Sequence, residues 1–316
     1  MSALRASPVR AAISGIGSAL PAGTITTPDL AHALGVDPEW IRRRTGIETR
    51  HQIQAPQTLA ELATQAAQAA LCDAQLSPDA LDLILVATVS PDSPTPAVAP
   101  LVQAALGAHC GSLDLSAACA GFVYALALAR GQIESGLAQH ILIIGAEHLT
   151  PLLAADDPDT RILFGDGAGA LVLSAATDGR GIVAHHLGSD GHAAHLLGIR
   201  DGLIHMQGRE VFRRALRDLE LSARAVCSAA GWQPDEVHRW VPHQANARIT
   251  HALTKRLGVP AAHVVRHLEH VGNTSAASIP LALAAAQGDG RLRPDQKVVM
   301  CAIGAGLVWG SVALIW

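Results

Sequence analysis

Leu113-Asp114-Leu115-Ser116-Ala117-Ala118-Cys119-Ala120-Gly121-Phe122-Val123-Tyr124-Ala125-Leu126 reads as the end of an apolar strand, a turn of small residues and the start of a small-residue helix. It sets a thiol at a helix N-terminus, where unpaired backbone N–H groups and the positive end of the macrodipole favour thiolate over thiol. That setting predicts a nucleophile at Cys119. Cys72, Cys227 and Cys301 stand in apolar stretches and Cys110 in a connection, so these four are expected to be small buried hydrophobes.

The same strand-then-helix grammar repeats along the chain. Leu81–Thr88, Ile141–Ile144 and Lys297–Met300 are aliphatic and β-branched runs of strand length, while Thr58–Ala74, Val98–Leu106, Gly121–Ser135, Val211–Ala230, Asn246–Leu257 and Ala276–Gln287 carry helical spacing. Alternation of this kind predicts an α/β fold with mostly parallel sheets covered on both faces by helices. Thr88 precedes Cys119 by 31 residues and Pro242 precedes Asn273 by 31, each time ahead of an alanine-rich helix. Both halves also close on a Gly-rich turn feeding a β-branched strand, Gly165–Leu173 and Gly304–Val312. The order of these landmarks predicts a duplication, residues 1–175 and 176–316. Related halves packed about a pseudo-twofold would bring Cys119, the His243 loop and Asn273 to one site.

Composition narrows the function. With 316 residues, 49% of them hydrophobic, the chain can bury a large core in two packed halves. Charged residues make up only 16% and the net charge is −4, which argues against a nucleic-acid binder. Five cysteines without a CxxC suit a reducing, cytoplasmic compartment and argue against a disulfide framework or structural zinc site. Met1–Val9 has no apolar signal core, and no run of about 18 apolar residues suggests a membrane span.

Two further motifs join the cysteine. In Val241-Pro242-His243-Gln244-Ala245-Asn246 a histidine follows a strand end, where ligand sites gather in α/β sheets, and the helix start beyond it favours the neutral ring. Most of the sixteen histidines, including His185, His186, His192 and His195, are expected to be surface or structural groups. In Glu269-His270-Val271-Gly272-Asn273-Thr274-Ser275-Ala276, Asn273 reads equally as a site residue or as a turn residue after Gly272.

Together with Asp37-Pro38-Glu39-Trp40-Ile41, Arg44-Thr45-Gly46-Ile47 and Phe164-Gly165-Asp166-Gly167-Ala168-Gly169-Ala170, these motifs resemble β-ketoacyl-acyl-carrier-protein synthase III, in family order from about Val9 to the C-terminus. The resemblance implies a thiolase-like five-layered αβαβα fold, a homodimer and the catalytic set Cys119, His243 and Asn273. It implies that Cys119 takes an acyl group from acyl-coenzyme A, that malonyl-acyl carrier protein then enters, and that His243 and Asn273 stabilise the enolate left by decarboxylation. Backbone N–H groups of Cys119 and Ala305 would hold the acyl oxyanion. Coenzyme A, here a substrate thioester, is expected at Trp40, Arg44, Phe212, Asn246 and Arg248; no metal or redox cofactor is implied. Arg209, Arg213, Arg214, Arg217, Arg248, Lys255 and Arg256 form a basic set on two predicted helices, and Arg213, Arg248, Lys255 and Arg256 are assigned to carrier-protein docking.

The departures from the family pattern fall on substrate choice. Pro158 replaces an arginine often found over the coenzyme A base, with Arg161 as a stand-in; Ile303-Gly304-Ala305-Gly306-Leu307 lacks the usual flanking phenylalanines. Thr95 and Ile303 are assigned to the acyl channel, and the bordering segment Leu196–Met206 is short. A more open channel for a longer or branched acyl group is expected. An acyltransferase to an oxygen or nitrogen acceptor and a non-catalytic partner subunit are the alternatives.

Overall fold

The computed structural model describes residues 9–316; the signal-peptide reading of the N-terminus falls almost wholly outside them. The chain runs through β1 (Arg10–Ala19), β2 (Gly23–Thr26), α1 (Thr27–Leu34), α2 (Pro38–Thr45), β3 (Thr49–Gln52), α3 (Leu59–Ala74), β4 (Leu83–Ala87), α4 (Val98–Leu106), β5 (Gly111–Leu115), α5 (Gly121–Glu134), β6 (His140–Glu147), α6 (Pro158–Arg161) and β7 (Gly167–Ala176). It continues through β8 (Gly181–Ser189), β9 (Leu197–Arg200), β10 (Leu203–Met206), α7 (Gly208–Ala230), β11 (Arg239–Pro242), α8 (Ala247–Leu257), α9 (Leu268–Val271), α10 (Ser278–Gly288), β12 (Lys297–Gly304) and β13 (Val308–Ile315). Every strand and helix expected from periodicity is present. The helix starts are fixed by side chains the sequence supplies: Thr58 and Glu61 form a capping box ahead of α3, and Asn246 caps α8.

Two sheets carry the fold, and they share one plan. The first has the order β1-β7-β6-β4-β5 and the second β8-β13-β12-β11, with Val264 bridging in parallel beside β11 as β5 lies beside β4. In both, the two outermost pairings, β1 with β7 and β8 with β13, are antiparallel, as are β7 with β6 and β13 with β12; the next neighbours, β4 and β11, join in parallel. The two sheets thus repeat one plan strand by strand, but they are mixed rather than mostly parallel as expected, because the strands on one side of each return antiparallel.

Side chains alternate across these buried strands because both faces of each sheet are covered. Ile141 and Ile143 face one core with Val298, Met300 and Ala302 of the other sheet, around α5 and α10. Leu142 and Ile144 face α3 and α4; Val299 and Cys301 face α7 and α8. The layers are α3/α4, sheet, α5/α10, sheet, α7/α8, the expected αβαβα order. Held between two sheets, α5 is apolar around its circumference, whereas α7 buries a single stripe of Ala215, Leu216, Leu219, Ala223 and Val226.

The inner helices meet the site through matched turns. A 3-10 turn, Ala118–Ala120, precedes α5, and another, Ser275–Ala277, precedes α10. Each opens on a non-glycine residue at positive φ, Ala118 at 46° and Ser275 at 48°. This register pairs Cys119 with Ala276, not with Asn273 as equal sequence spacing suggested, because the loop between the Val264 bridge and α10 carries its own helix, α9. The end of β6 packs on the Ser275 turn and the end of β12 packs on the Ala118 turn, each sheet reaching into the other half. Two corrections concern the other cysteines. Cys227 and Cys301 are buried as expected, but Cys72 is exposed and Cys110 half-buried, since they lie on or beside the outer helical layer. No helix among the described residues is long and apolar enough to cross a membrane.

Candidate active site

Cys119 sits where two cavities meet. An inner chamber of about 470 Å³ is lined by Ala117, Ala118, Leu149, Phe164, Ile199, Ile204, Ala305 and Val308 among others. An outer chamber of about 570 Å³ is lined by Arg44, Arg209, Phe212, His243, Asn246, Arg248, Asn273 and Ile303 among others. Both touch Cys119, Phe164 and Leu197. The three residues expected to share a site therefore do so, brought from three separate loops.

The cysteine itself corrects one expectation. It is 9% exposed, and burial pushes its thiol up to about 12; the neighbouring Ser275 hydroxyl works in the lowering direction but does not prevail. The expected lowering does not prevail because burial outweighs what the 3-10 turn and the start of α5 supply to the sulfur. In the resting site the group is a thiol. The end of β12 lies against it: a Cβ on Gly304 would come within 2.5 Å of the Cys119 nitrogen, so only glycine lets Ala305 follow so closely.

His243 is nearly fully buried, and burial lowers its imidazole to about 3, so the ring is neutral at physiological pH. The expected neutral histidine is present, through desolvation. Its Nδ1 lies 2.6 Å from Ser278 Oγ, and that hydroxyl accepts the Gln244 N–H at 3.3 Å. Asn273 plays both expected parts. Its Oδ1 accepts the Ser275 N–H at 2.9 Å as a turn residue does, which leaves Nδ2 without a protein partner among the described residues.

At the mouth, Arg44 lies over the Trp40 ring, 4.3 Å from its centre, and Arg248 over Phe212 at 5.7 Å. Asp37 caps α2 and Gly46, at φ 77°, ends it, which fixes Trp40 and Arg44 one turn apart on that helix. Trp40 borders the outer chamber only through Arg44. Asn246 is already engaged: Oδ1 takes the Arg248 N–H and Nδ2 donates to Arg44 O at 2.9 Å, so it ties α8 to α2.

Several expected positions move. Thr95 is exposed on the loop between β4 and α4 and lines neither chamber. Ile303 faces the outer chamber, not the acyl side, because the chain turns inward only at Ala305. Arg161 donates to Ala155 O at 2.6 Å and lines a separate small cavity with Arg50, so it does not replace the arginine missing at Pro158. The short segment Leu196–Met206 does border the site. It is the hairpin β9–β10, closed by Asp201 and Gly202 at φ 52° and 77°, and Leu197, Ile199 and Ile204 form the chamber wall.

In the basic set, Arg209 and Arg248 line the outer chamber; Arg213 pairs with Glu210, Arg214 with Asp190 and Arg256 with Glu220. Sequence reasoning missed Glu147, Ser275 and Ser278, which touch the three central side chains or their neighbours. Glu147 carried a signal: a single acid ending the apolar run 141–146 at the carboxyl end of a buried strand.

Residues 113–191 match the family 3-oxoacyl-[acyl-carrier-protein (ACP)] synthase III, and residues 227–316 match its C-terminal region. The β-ketoacyl-[acyl-carrier-protein] synthase III of Rhodobacter capsulatus is 45% identical over 322 residues, covering 98% of this chain and 99% of that protein. The crystal structure of 3-oxoacyl-[acyl-carrier-protein] synthase III from Aquifex aeolicus superposes with a TM-score of 0.95 at 43% identity, covering 97% of this chain and 100% of that one. The priming β-ketosynthase of the R1128 polyketide biosynthetic pathway gives 0.92 at 34% identity, covering 99% and 98%. With a buried thiol, a neutral imidazole and a free amide at one junction, and with relatives matched over nearly their full length, the chain belongs to the β-ketoacyl-acyl-carrier-protein synthase III family.

Proposed function

We propose that this enzyme joins an acyl group from acyl-coenzyme A to malonyl-acyl carrier protein by decarboxylative Claisen condensation. The observation that carries the reading is the junction of the two chambers at Cys119, with His243 and Asn273 on the outer side only. The acyl chain would lie in the inner chamber while its thioester carbonyl, held by the N–H groups of Cys119 and Ala305, is attacked by the sulfur. Coenzyme A would leave by the mouth, past Arg44, Phe212 and Arg248, with Trp40 supporting Arg44. Malonyl thioester would then enter the outer chamber. His243 Nε2–H and Asn273 Nδ2–H would donate to its carbonyl as carbon dioxide leaves, and the resulting enolate would attack the acyl group on Cys119.

In this reading residues 1–175 supply the nucleophile and 176–316 the histidine and asparagine. Arg209 and Arg248 at the mouth are the stronger docking positions for an acidic carrier; Lys255 and Arg256 lie about 11 Å further along α8 and Arg213 is tied to Glu210. A homodimer would cover the half-exposed edge strand β5, where Leu113 is 47% exposed, and the Thr95 loop beside it. The free cysteines suit a cytoplasmic setting. A purely acyl-transferring enzyme would have no use for an oriented, unpartnered Asn273 amide, which disfavours that alternative. The aliphatic inner chamber favours donors larger than acetyl.

Incubation with acetyl-, isobutyryl-, hexanoyl- and octanoyl-coenzyme A should add the acyl mass to Cys119 alone, and malonyl-acyl carrier protein should then yield carbon dioxide and a β-ketoacyl product. Acyl mass on a Cys119→Ala variant, or acylation without any β-keto product, would refute the proposal.

A further inference from the structure

Glu147 ends β6 with its side chain fully buried, directly behind the nucleophile. Its five hydrogen-bond partners are all neutral: Oε2 accepts from Thr88 Oγ1 at 3.2 Å, Val89 N at 3.0 Å and Ser90 Oγ at 2.5 Å, and Oε1 from Ser275 Oγ at 2.8 Å and Ala276 N at 3.4 Å. A buried carboxylate without a cation is costly, and such groups concentrate at working sites. The same Ser275 lines the inner chamber beside Cys119, on the facing 3-10 turn. It is held there at φ 48°, a conformation that a non-glycine residue keeps only when its surroundings enforce it.

We propose that Glu147, acting through the Ser275 hydroxyl, takes the Cys119 proton during acyl transfer and returns it during condensation. The inference rests on the reading of Cys119 as nucleophile. As the sulfur bonds to the acyl carbon, the S–H proton passes to Ser275 Oγ and the Ser275 proton passes to Glu147 Oε1. The bond from the acyl carbon to the coenzyme A sulfur breaks, its electron pair stays on that sulfur, and water at the mouth protonates it. The acyl-enzyme therefore stores one proton on Glu147. In the second half-reaction the malonyl carboxylate leaves as carbon dioxide, the freed pair forms the enolate, and the enolate carbon bonds to the acyl carbon. The Cys119 sulfur departs with the pair of its broken bond and recovers the proton from Glu147 through Ser275.

Chemistry divides the labour between the two buried groups. Burial pushes the Glu147 carboxyl up, making its ionised form a better base, and pushes the His243 ring down, making it a poor one. Three donors on Oε2 anchor the carboxylate and leave Oε1 for the serine.

Glu147→Gln keeps the shape and one acceptor oxygen but cannot take up the proton. Rapid-quench mass spectrometry at saturating octanoyl- or acetyl-coenzyme A should show the acylation rate falling by about 10²-fold with the donor's Kd unchanged. Ser275→Ala should give the same loss and carries the test if Glu147→Gln does not fold. The double variant should lose no more than either single one, since both break one chain. Wild-type acylation in either variant, or losses that multiply in the double variant, would overturn the relay. Acyl mass on Cys119→Ala would instead defeat the nucleophile assignment beneath it.

Discussion

Ser278 Oγ stands 2.6 Å from Nδ1 of His243 and accepts the N–H of Gln244; when its own proton is given to Nδ1, the ring proton sits on Nε2. The nitrogen facing the outer chamber is then a donor, as enolate stabilisation requires.

The lowered imidazole has a consequence for stability. His243 is brought from the ordinary 6.5 to about 3 by burial, and His267 to about 4 by burial and then by positive neighbours, His270 foremost. Between those values the unfolded chain binds protons that the folded chain does not, so stability is full above about pH 6.5 and falls as the pH drops toward 4. Urea midpoints measured down this range should decline, with a shallower slope in His243→Gln. An NMR titration showing His243 protonating near 6.5 in the folded protein would contradict the assignment.

Asn273→Ala should separate the half-reactions. Asn273 lines the outer chamber and not the inner one, so acylation of Cys119 should stay within a factor of a few while condensation falls by about 10²–10³, the cost of a lost oxyanion donor. Equal loss in both steps, measured by acyl-enzyme mass and by β-keto product, would remove the division of labour.

Gly304→Ala tests the close approach of β12 to the nucleophile. The added methyl would meet the Cys119 nitrogen at 2.5 Å and the Ala118 Cβ at 2.8 Å, both parts of a fixed turn. We expect a stability loss of about 1–3 kcal/mol from overpacking and an acylation rate lowered more than donor affinity, because Ala305 is pushed back with it. Unchanged acylation would show that Ala305 does not hold the oxyanion.

Acyl preference should answer to the β9–β10 hairpin, whose Ile204 lines the inner chamber. Ile204→Phe narrows the inner chamber and should shift competition between octanoyl- and acetyl-coenzyme A toward acetyl, by more than the ~1–3 kcal/mol that a single methylene is worth. Ile303→Phe should alter donor affinity without changing this ratio. A wild type that strongly prefers acetyl, with no response to Ile204→Phe, would end the large-donor reading.

The sequence by itself determined the strand and helix segments and the strand-end settings of Cys119 and His243, because periodicity, caps such as Thr58 and Asn246, and turn residues act over a few neighbouring positions, while the layer order and the grouping of Cys119, His243 and Asn273 followed from resemblance to the family. Only the tertiary structure decided how those groups behave. The sulfur's pKa depends on burial beneath β12, the histidine's tautomer on Ser278, 35 residues away, and the asparagine's free amide on the turn at Ser275. Ile303 faces the outer chamber for the same reason. Which wall of a cavity a side chain reaches is set by where loops from distant segments cross, and desolvation is a property of everything packed around a group, neither of which local sequence spacing records.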